Sequence, residues 1–303
     1  MTEAASKTKK NAKTDSSGED AGMDYLQSIP RRVVVVYIPL IAFLFILLFP
    51  FYFMGTVSLK SNEELHAYRG LEAFWIHDPT LEHIKHLLFE TEYPRWLWNT
   101  MLVTVSSTFL SVFCAVCAAY AIERLRFKGS KYVGMSIFMA YLVPPSILFI
   151  PLAVMVFQLG VFDTYWALIL TYPTILIPFC TWLLMGYFRS IPYELEECAL
   201  VDGANRFQIL TKIVLPLAVP GLISAGIFAF TLSWNEFIYA LTFISSAENK
   251  TVPVAMITEL ITFDQYNWGG LMAGALIGSL PVAILYSFFV EHYVSSMTGA
   301  VKE

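Results

Sequence analysis

Six apolar runs, each longer than about 20 residues, constrain this chain before any motif is read. They lie near Val33–Leu59, Trp96–Ile122, Tyr132–Phe157, Tyr165–Phe188, Leu217–Phe243 and Gly269–Val290. At a rise of about 1.5 Å per residue, each is long enough to cross a hydrocarbon core roughly 30 Å thick. Backbone polar groups in lipid must be satisfied within the protein, which selects helices or closed barrels. Unbroken runs of this length predict an all-α polytopic membrane protein with six transmembrane helices. The composition agrees, with 57% hydrophobic and 14% charged residues, far from a soluble domain. Pro144-Pro145 in the third run and Pro173 and Pro178 in the fourth predict kinked helices whose neighbours re-satisfy the backbone.

Orientation follows from lysine and arginine, which collect on the cytoplasmic side. With the N-terminus inside, 14 of these residues fall on the inner side and 5 on the outer side. The chain therefore divides into a cytoplasmic tail (1–32), a six-helix membrane domain (33–293) and a cytoplasmic C-terminal tail (294–303). The first 30 residues, rich in Lys, Ser, Asp and Gly, have the composition of a disordered segment. Arg31-Arg32 precede a run too long and too apolar for an export-signal core, so the pair reads as the flank of a permanent anchor.

One polar stretch interrupts the apolar half: Glu194 to Pro216, ELEECALVDGANRFQILTKIVLP. The positive-inside count puts it in the cytoplasm, and it predicts a helix-turn-helix over 190–216. Ser190 is a candidate N-cap and Pro192 suits a first helical turn. Gly203 permits a turn that a Cβ would obstruct. Asn205 with Gln208 has capping-box spacing and starts the second helix, and Pro216 is expected to break it.

This stretch resembles the cytoplasmic loop of ABC-importer inner-membrane permeases: E-A-A, three residues, G, nine residues, I-x-L-P. Glu197, Ala199, Gly203, Ile213, Leu215 and Pro216 fall in place, and Cys198 stands where the family prefers Ala. The resemblance extends to the maltose-type carbohydrate-uptake permeases through Ser58-Leu59-Lys60 with Glu63-Glu64, Pro79-Thr80-Leu81-Glu82, Trp98-Asn99-Thr100, Trp234-Asn235-Glu236-Phe237, Trp268-Gly269 with Met272-Ala273, and Gly299-Ala300-Val301-Lys302. Departures occur at Glu291-His292 and Ser295-Ser296-Met297. The resemblance implies a bacterial inner-membrane permease subunit acting with a second homologous permease, two copies of a cytoplasmic ATPase and an external solute-binding protein. Its cargo would be a sugar or polyol, with a glycerophosphate-type solute as the alternative. Glu194, Glu197, Ala199, Asp202, Gly203, Ala204, Ile213, Leu215 and Pro216 would form the ATPase-coupling surface. No cofactor is implied for this chain; ATP and Mg would belong to the partner ATPase, since the sequence holds no G-x-x-x-x-G-K-[ST].

Other chemistry has little support. No basic tract with interleaved aromatics suggests nucleic acid. Cys114 and Cys117 form a lone C-x-x-C inside an apolar run, which reads as two small apolar residues rather than a metal or redox site. His77, His83 and His86 are scattered through the first outer loop without metal-ligand spacing. An ion-coupled transporter would need ionisable groups deep in the bilayer or a pair of broken helices repeated in two halves. Glu236 is the one clear intramembrane carboxylate, and the sequence shows no internal repeat. The third outer loop, Ile244–Trp268, with Val252-Pro253-Val254, Glu259 and Asp264, is a candidate docking surface. Gly270, Gly274 and Gly278 form a small-residue seam for close helix packing. Ser224, Thr231, Asn235 and Thr242 share one helical face of the fifth run. That stripe, with Glu236 about 100° away, either lines the substrate path or joins helices through hydrogen bonds.

Overall fold

The computed structural model describes residues 29–67, 74–262 and 265–299. The tail before Ile29, Asp264 and the Ala300-Val301-Lys302 end of the C-terminal motif lie outside the described residues. The chain divides into two units, Met1–Thr56 and Val57–Glu303.

Helix α1 covers Ile29–Leu59, with a π-helical turn at Val33–Tyr37 and Pro50 inside it. Residues 29–52 are all exposed. Beyond Arg32 the helix is apolar on every side, which suits contact with lipid.

The second unit carries α2 (Asn62–His66), α3 (Glu82–Phe89), α4 (Tyr93–Leu125), α5 (Ser130–Tyr141), α6 (Pro145–Gln158) and α7 (Tyr165–Ser190). They are followed by α8 (Glu194–Val201), α9 (Arg206–Leu217), α10 (Val219–Trp234), α11 (Ile238–Phe243), α12 (Val252–Thr258) and α13 (Trp268–Gly299). A two-residue antiparallel pair, β1 (Ile261–Thr262) with β2 (Gln265–Tyr266), precedes α13. The core lies where α4, α7 and α10 pack together. Small residues let these helices approach: Ala115 and Ala119 on α4 and Ala225 and Ala229 on α10 are fully buried. Polar groups are kept inside rather than turned toward lipid. Thr100, Thr104, Ser107 and Ser111 are buried along α4, and Ser107 Oγ lies 3.1 Å from Ser233 Oγ on α10.

Four of the apolar runs lie on single long helices: α1, α4, α7 and α13. The third run differs from the continuous span expected over Tyr132–Phe157. It forms α5 and α6, bent by 99°. Pro144 excludes the helical conformation from the residue before it, and Pro145 begins the new helix as its first residue. At 12 and 14 residues, the arms are about 18 and 21 Å long, too short to span singly. The fifth run, expected over Leu217–Phe243, is also interrupted. It turns 80° at Ala218 and breaks again at 235–237 between α10 and α11. Between four and six crossings fit these lengths, according to whether each bent pair makes one.

Within Ile244–Trp268, the candidate docking surface, α12 is partly drawn into the protein while Ser245, Ala247, Glu248, Ile257 and Thr258 are exposed. Val252, Val254, Ala255 and Met256 of α12 are buried, because α4 grips the segment before it. Trp96 Nε1 donates to the Ala247 carbonyl at 2.8 Å, and Asn99 Nδ2 to those of Glu248 and Lys250 at 2.8 and 3.0 Å. Thr100 Oγ1 accepts from Val252 N at 2.8 Å. Asp163 adds a second clamp. It holds a left-handed φ of 60° and its carboxylate accepts the N–H groups of Ser245 and Ser246, both at 2.9 Å, and the Ser246 hydroxyl. Burial alone would raise its pKa, but these donors hold it below the ordinary aspartate value.

The glycine seam is used for close packing as expected. Gly274 O accepts the Tyr93 hydroxyl at 2.7 Å and Gly278 O accepts Trp234 Nε1 at 3.1 Å. His83 departs from the reading of a solvated loop: it sits on α3, buried, with its ring where a Cβ on Gly269 would stand. The described residues hold no cluster of three or more metal-ligating side chains, and all four cysteines are free.

Candidate functional site: the polar helix-turn-helix

The polar stretch folds into α8, a tight turn and α9. Ser190 is not its N-cap. Ser190 is the last residue of α7, where its hydroxyl donates to the Tyr187 carbonyl at 2.8 Å. Ile191, extended before Pro192, ends that helix. The next helix starts only at Glu194, with Glu194, Glu196 and Glu197 in its first turn, where acids complement the helix N-terminus.

The turn is built as a Schellman motif. Gly203 has φ 86°, its N–H donates to Leu200 O at 3.1 Å, and the Ala204 N–H donates to Ala199 O at 2.9 Å. Asn205 and Gln208 then form the capping box in full, each side chain accepting the other's backbone N–H at 2.9 Å. Pro216 does not break α9. The helix runs through a π turn at Leu210–Val214 to Leu217, and the chain bends at Ala218. Proline is tolerated there as the second residue of the final short α segment.

The two faces of α8 differ. Glu194, Glu197, Cys198 and Val201 are exposed and share one side of the helix at i, i+3, i+4 and i+7. Leu195, Leu200 and Phe207 add exposed apolar surface beside them. Glu196 points the other way and is fully buried, with its carboxylate 3.2 Å from Arg124 Nε. The neighbouring Glu123 pairs with Arg189 in bidentate fashion, at 3.1 and 3.0 Å. Ala199, Ala204 and Leu215 are half-buried against the core, Ile213 is half-buried, and Asp202, Gly203 and Pro216 are exposed. Asp202, Gly203, Ala204, Gln208, Lys212 and Ile213 line a shallow cleft of about 310 Å³ in the turn. Glu196, Arg124, Glu123 and Arg189 were missing from the sequence-based site. The available signal was a pair of adjacent opposite charges, Glu123-Arg124, at the end of an apolar run.

Of the candidate path residues, Ser224, Thr231 and Asn235 stay on α10 and its C-cap, while Thr242 is separated from them by the break at 235–237. Ser224 is buried and Thr231 half-buried, each bonding back to its own helix, at Pro220 O and Ile227 O. Thr231 also lies 3.4 Å from the Tyr286 hydroxyl on α13. Asn235 falls where α10 ends; it is exposed, and its amide donates to Thr231 O at 2.9 Å. Glu236 sits in the break and accepts the N–H groups of Tyr239 and Ala240 at 2.8 and 3.1 Å, closing the start of α11. Thr242 lies on α11 beyond the break.

A nearly all-helical chain with several candidate membrane-crossing segments, carrying a folded polar helix pair between two of them, defines a polytopic membrane protein. The sequence is similar to the inner membrane ABC transporter permease protein YcjP of Escherichia coli (strain K12), 38% identical and covering 88% of this chain and 95% of that one. It is 31% identical to the trehalose/maltose transport system permease protein MalG of Thermococcus litoralis, over 91% of this chain and 99% of the other. The fold is similar to that of a chain from a bacterial ABC transporter that imports the acidic polysaccharide alginate, with a TM-score of 0.74, 23% identity and coverage of 88% and 98%. The family described as binding-protein-dependent transport system inner membrane component matches residues 107–299. The chain belongs to that family: it is a multi-pass inner-membrane permease subunit of an ABC importer.

Proposed function

We propose that this chain and a second, homologous permease form the path by which a sugar or related polyol enters the cell. Two copies of a cytoplasmic ATPase supply the energy, with ATP and Mg held by that partner, and an external solute-binding protein delivers the cargo. The observation that carries this reading is the exposed side of α8, where Glu194 and Glu197 stand with Cys198 and Val201, while Glu196 on the other side is buried; Phe207, on α9, is exposed as well. An apolar patch with charge on a cytoplasmic loop marks a protein-docking surface. The sugar assignment is supported by the names of the relatives, which include a trehalose/maltose permease. A glycerophosphate-type solute is the alternative cargo.

Reconstitution tests the assembly. This chain alone in proteoliposomes is expected to give neither transport nor ATP hydrolysis; uptake should require all four kinds of component. Transport by this chain with a binding protein but no ATPase would refute the proposal. Melting-temperature shifts of the binding protein across a panel of sugars and glycerophosphates identify the cargo.

The proposed topology has both termini in the cytoplasm. Reporter fusions at Ser61 and Asn249 are expected to signal outside and one at Gly203 inside. An external signal at Gly203 would overturn the docking role of α8.

Asn235 and Glu236 are expected to separate. Asn235 is exposed at the mouth of the break and is proposed to hydrogen-bond cargo, so Asn235→Ala should raise the solute concentration for half-maximal uptake at normal abundance. Glu236 serves a helix start, where loss of a side-chain acceptor costs about 1–2 kcal/mol. Glu236→Ala should therefore lower membrane abundance. Quantitative immunoblots and uptake titrations check both, and normal uptake by Asn235→Ala would remove that residue from the path.

A further inference from the structure

We propose that Arg124 is the positioning residue of the coupling helix: it locks α8 to the ends of α4 and α7, so that α8 moves only together with both spans. The inference rests on the reading of α8 as the contact with the ATPase.

The lock begins in local backbone geometry. Helix α4 ends in a π turn, Ala121–Leu125, in which Ile122, Glu123 and Arg124 are all buried. Arg126 then takes a left-handed φ of 46°, which ends the helix. Arg124 is thereby held inside the protein, 4% exposed.

Its guanidinium meets two separate elements. Nη2 donates to the carbonyls of Phe188 and Ile191, the latter at 2.6 Å. Phe188 lies in the last turn of α7 and Ile191 is its C-cap, where the negative end of the helix dipole favours a cation; the Phe188 carbonyl also accepts the Ile191 N–H at 3.2 Å. Nε stands 3.2 Å from Glu196 Oε1 on α8, and the guanidinium carbon lies 5.9 Å from the centre of the Tyr193 ring, just before α8. Among the described residues no hydrogen bond reaches either Glu196 oxygen, so the arginine is the counter-charge of a fully buried carboxylate. A buried charge whose partner is removed is strongly destabilising. The planar fork of arginine can serve several acceptors at once, which the point charge of lysine does less well. Glu123, next in sequence, turns to Arg189 instead, so the end of α4 is tied to α7 twice and to α8 once.

Of the three acids in the first turn of α8, one anchors and two are presented outward. This division fits α8 as a lever: the two outward acids receive the force, and the buried Arg124–Glu196 pair adds a tie from α8 to the ends of α4 and α7 beyond the chain link at residues 191–193 and the packing of Ala199.

The test has two readouts. The first is label mobility in the two permease chains without the ATPase, with the four native cysteines replaced and a nitroxide on Val201→Cys, a position 88% exposed on the proposed docking side. The second is ATP hydrolysed per solute imported, in the complete unlabelled transporter in proteoliposomes. Arg124→Gln and Glu196→Gln are each expected to mobilise the label and to raise the ATP hydrolysed per solute imported by about tenfold or more, since each breaks a buried pair. Arg124→Lys should fall between these variants and the parent. If Arg124→Gln fails to accumulate, Glu196→Gln decides, because the amide keeps the shape of the carboxylate. An unchanged label spectrum in the accumulating variants overturns the proposal. So does a parallel fall in uptake and hydrolysis at a constant ratio, the signature of a merely structural pair. A mobilised label with an unchanged ratio and a harmless Glu197→Lys would keep Arg124 as the anchor of α8 and overturn the ATPase-docking reading instead.

Discussion

Glu197→Lys is expected to leave the permease in the membrane at near-normal abundance and to abolish coupled uptake. The side chain is exposed on the outward side of α8 beside Glu194 and Val201, so its replacement disturbs no packing within the chain. A charge-assisted contact across an interface costs about 2–5 kcal/mol when one partner is removed. Reversal adds repulsion, so binding of the ATPase should weaken by at least roughly 30-fold. Co-purification of the ATPase and solute-stimulated hydrolysis check this, and normal values for both would remove Glu197 from the interface. Gly203 supplies an internal control. An added Cβ there meets no atom within 4 Å, so Gly203→Ala carries only the left-handed strain of about 1–2 kcal/mol. Gly203→Pro cannot adopt φ 86° and loses the N–H that donates to Leu200 O, which costs about 3 kcal/mol or more. The alanine variant should retain most uptake and the proline variant should lose it.

Gly221→Val is expected to prevent stable assembly of the core. Gly221 lies at the start of α10, and a Cβ there would stand 2.4 Å from Tyr187 Cγ on α7. That atom is the root of a ring rather than the end of a flexible chain, so α7 and α10 must separate. Overpacking of this kind costs about 1–3 kcal/mol and sometimes more. The affected contact lies one turn beyond the Ala218 bend, where α9 hands over to α10. Gly221→Val should show low abundance and a lowered melting temperature in detergent, and the double variant with Tyr187→Ala should recover much of both. Gly226→Ala, on the same helix with open space at its Cβ, should be neutral or slightly stabilising, by about 0.5–1 kcal/mol. Equal behaviour of the two glycine variants would rule out the close approach as the cause.

The amino-acid sequence by itself determined the features that depend on near neighbours or on the solvent. Long apolar runs meant helices in lipid, because a lipid-facing backbone has no other donor or acceptor. Gly203 and the Asn205–Gln208 box formed as the spacing indicated, since such turns are closed by atoms only a few residues apart. The family motif could be read for the same reason. Tertiary structure decided what local pattern leaves degenerate. Pro144-Pro145 signalled a break, but the 99° bend depends on what each arm packs against. The helical wheel that grouped Thr242 with Ser224, Thr231 and Asn235 presupposed one unbroken helix; α10 ends at Trp234 and Glu236 closes the start of a new helix at Ile238, which carries Thr242. Val252–Met256 had no sequence signal for burial; Asn99 and Thr100, about 150 residues earlier in the chain, hold the segment before it and place it against α4. Glu194, Glu196 and Glu197 are equivalent acids in one helical turn. Only the buried guanidinium of Arg124, 72 residues before Glu196 and brought close by the packing of α4 against α7, distinguishes the anchor from the two that face outward.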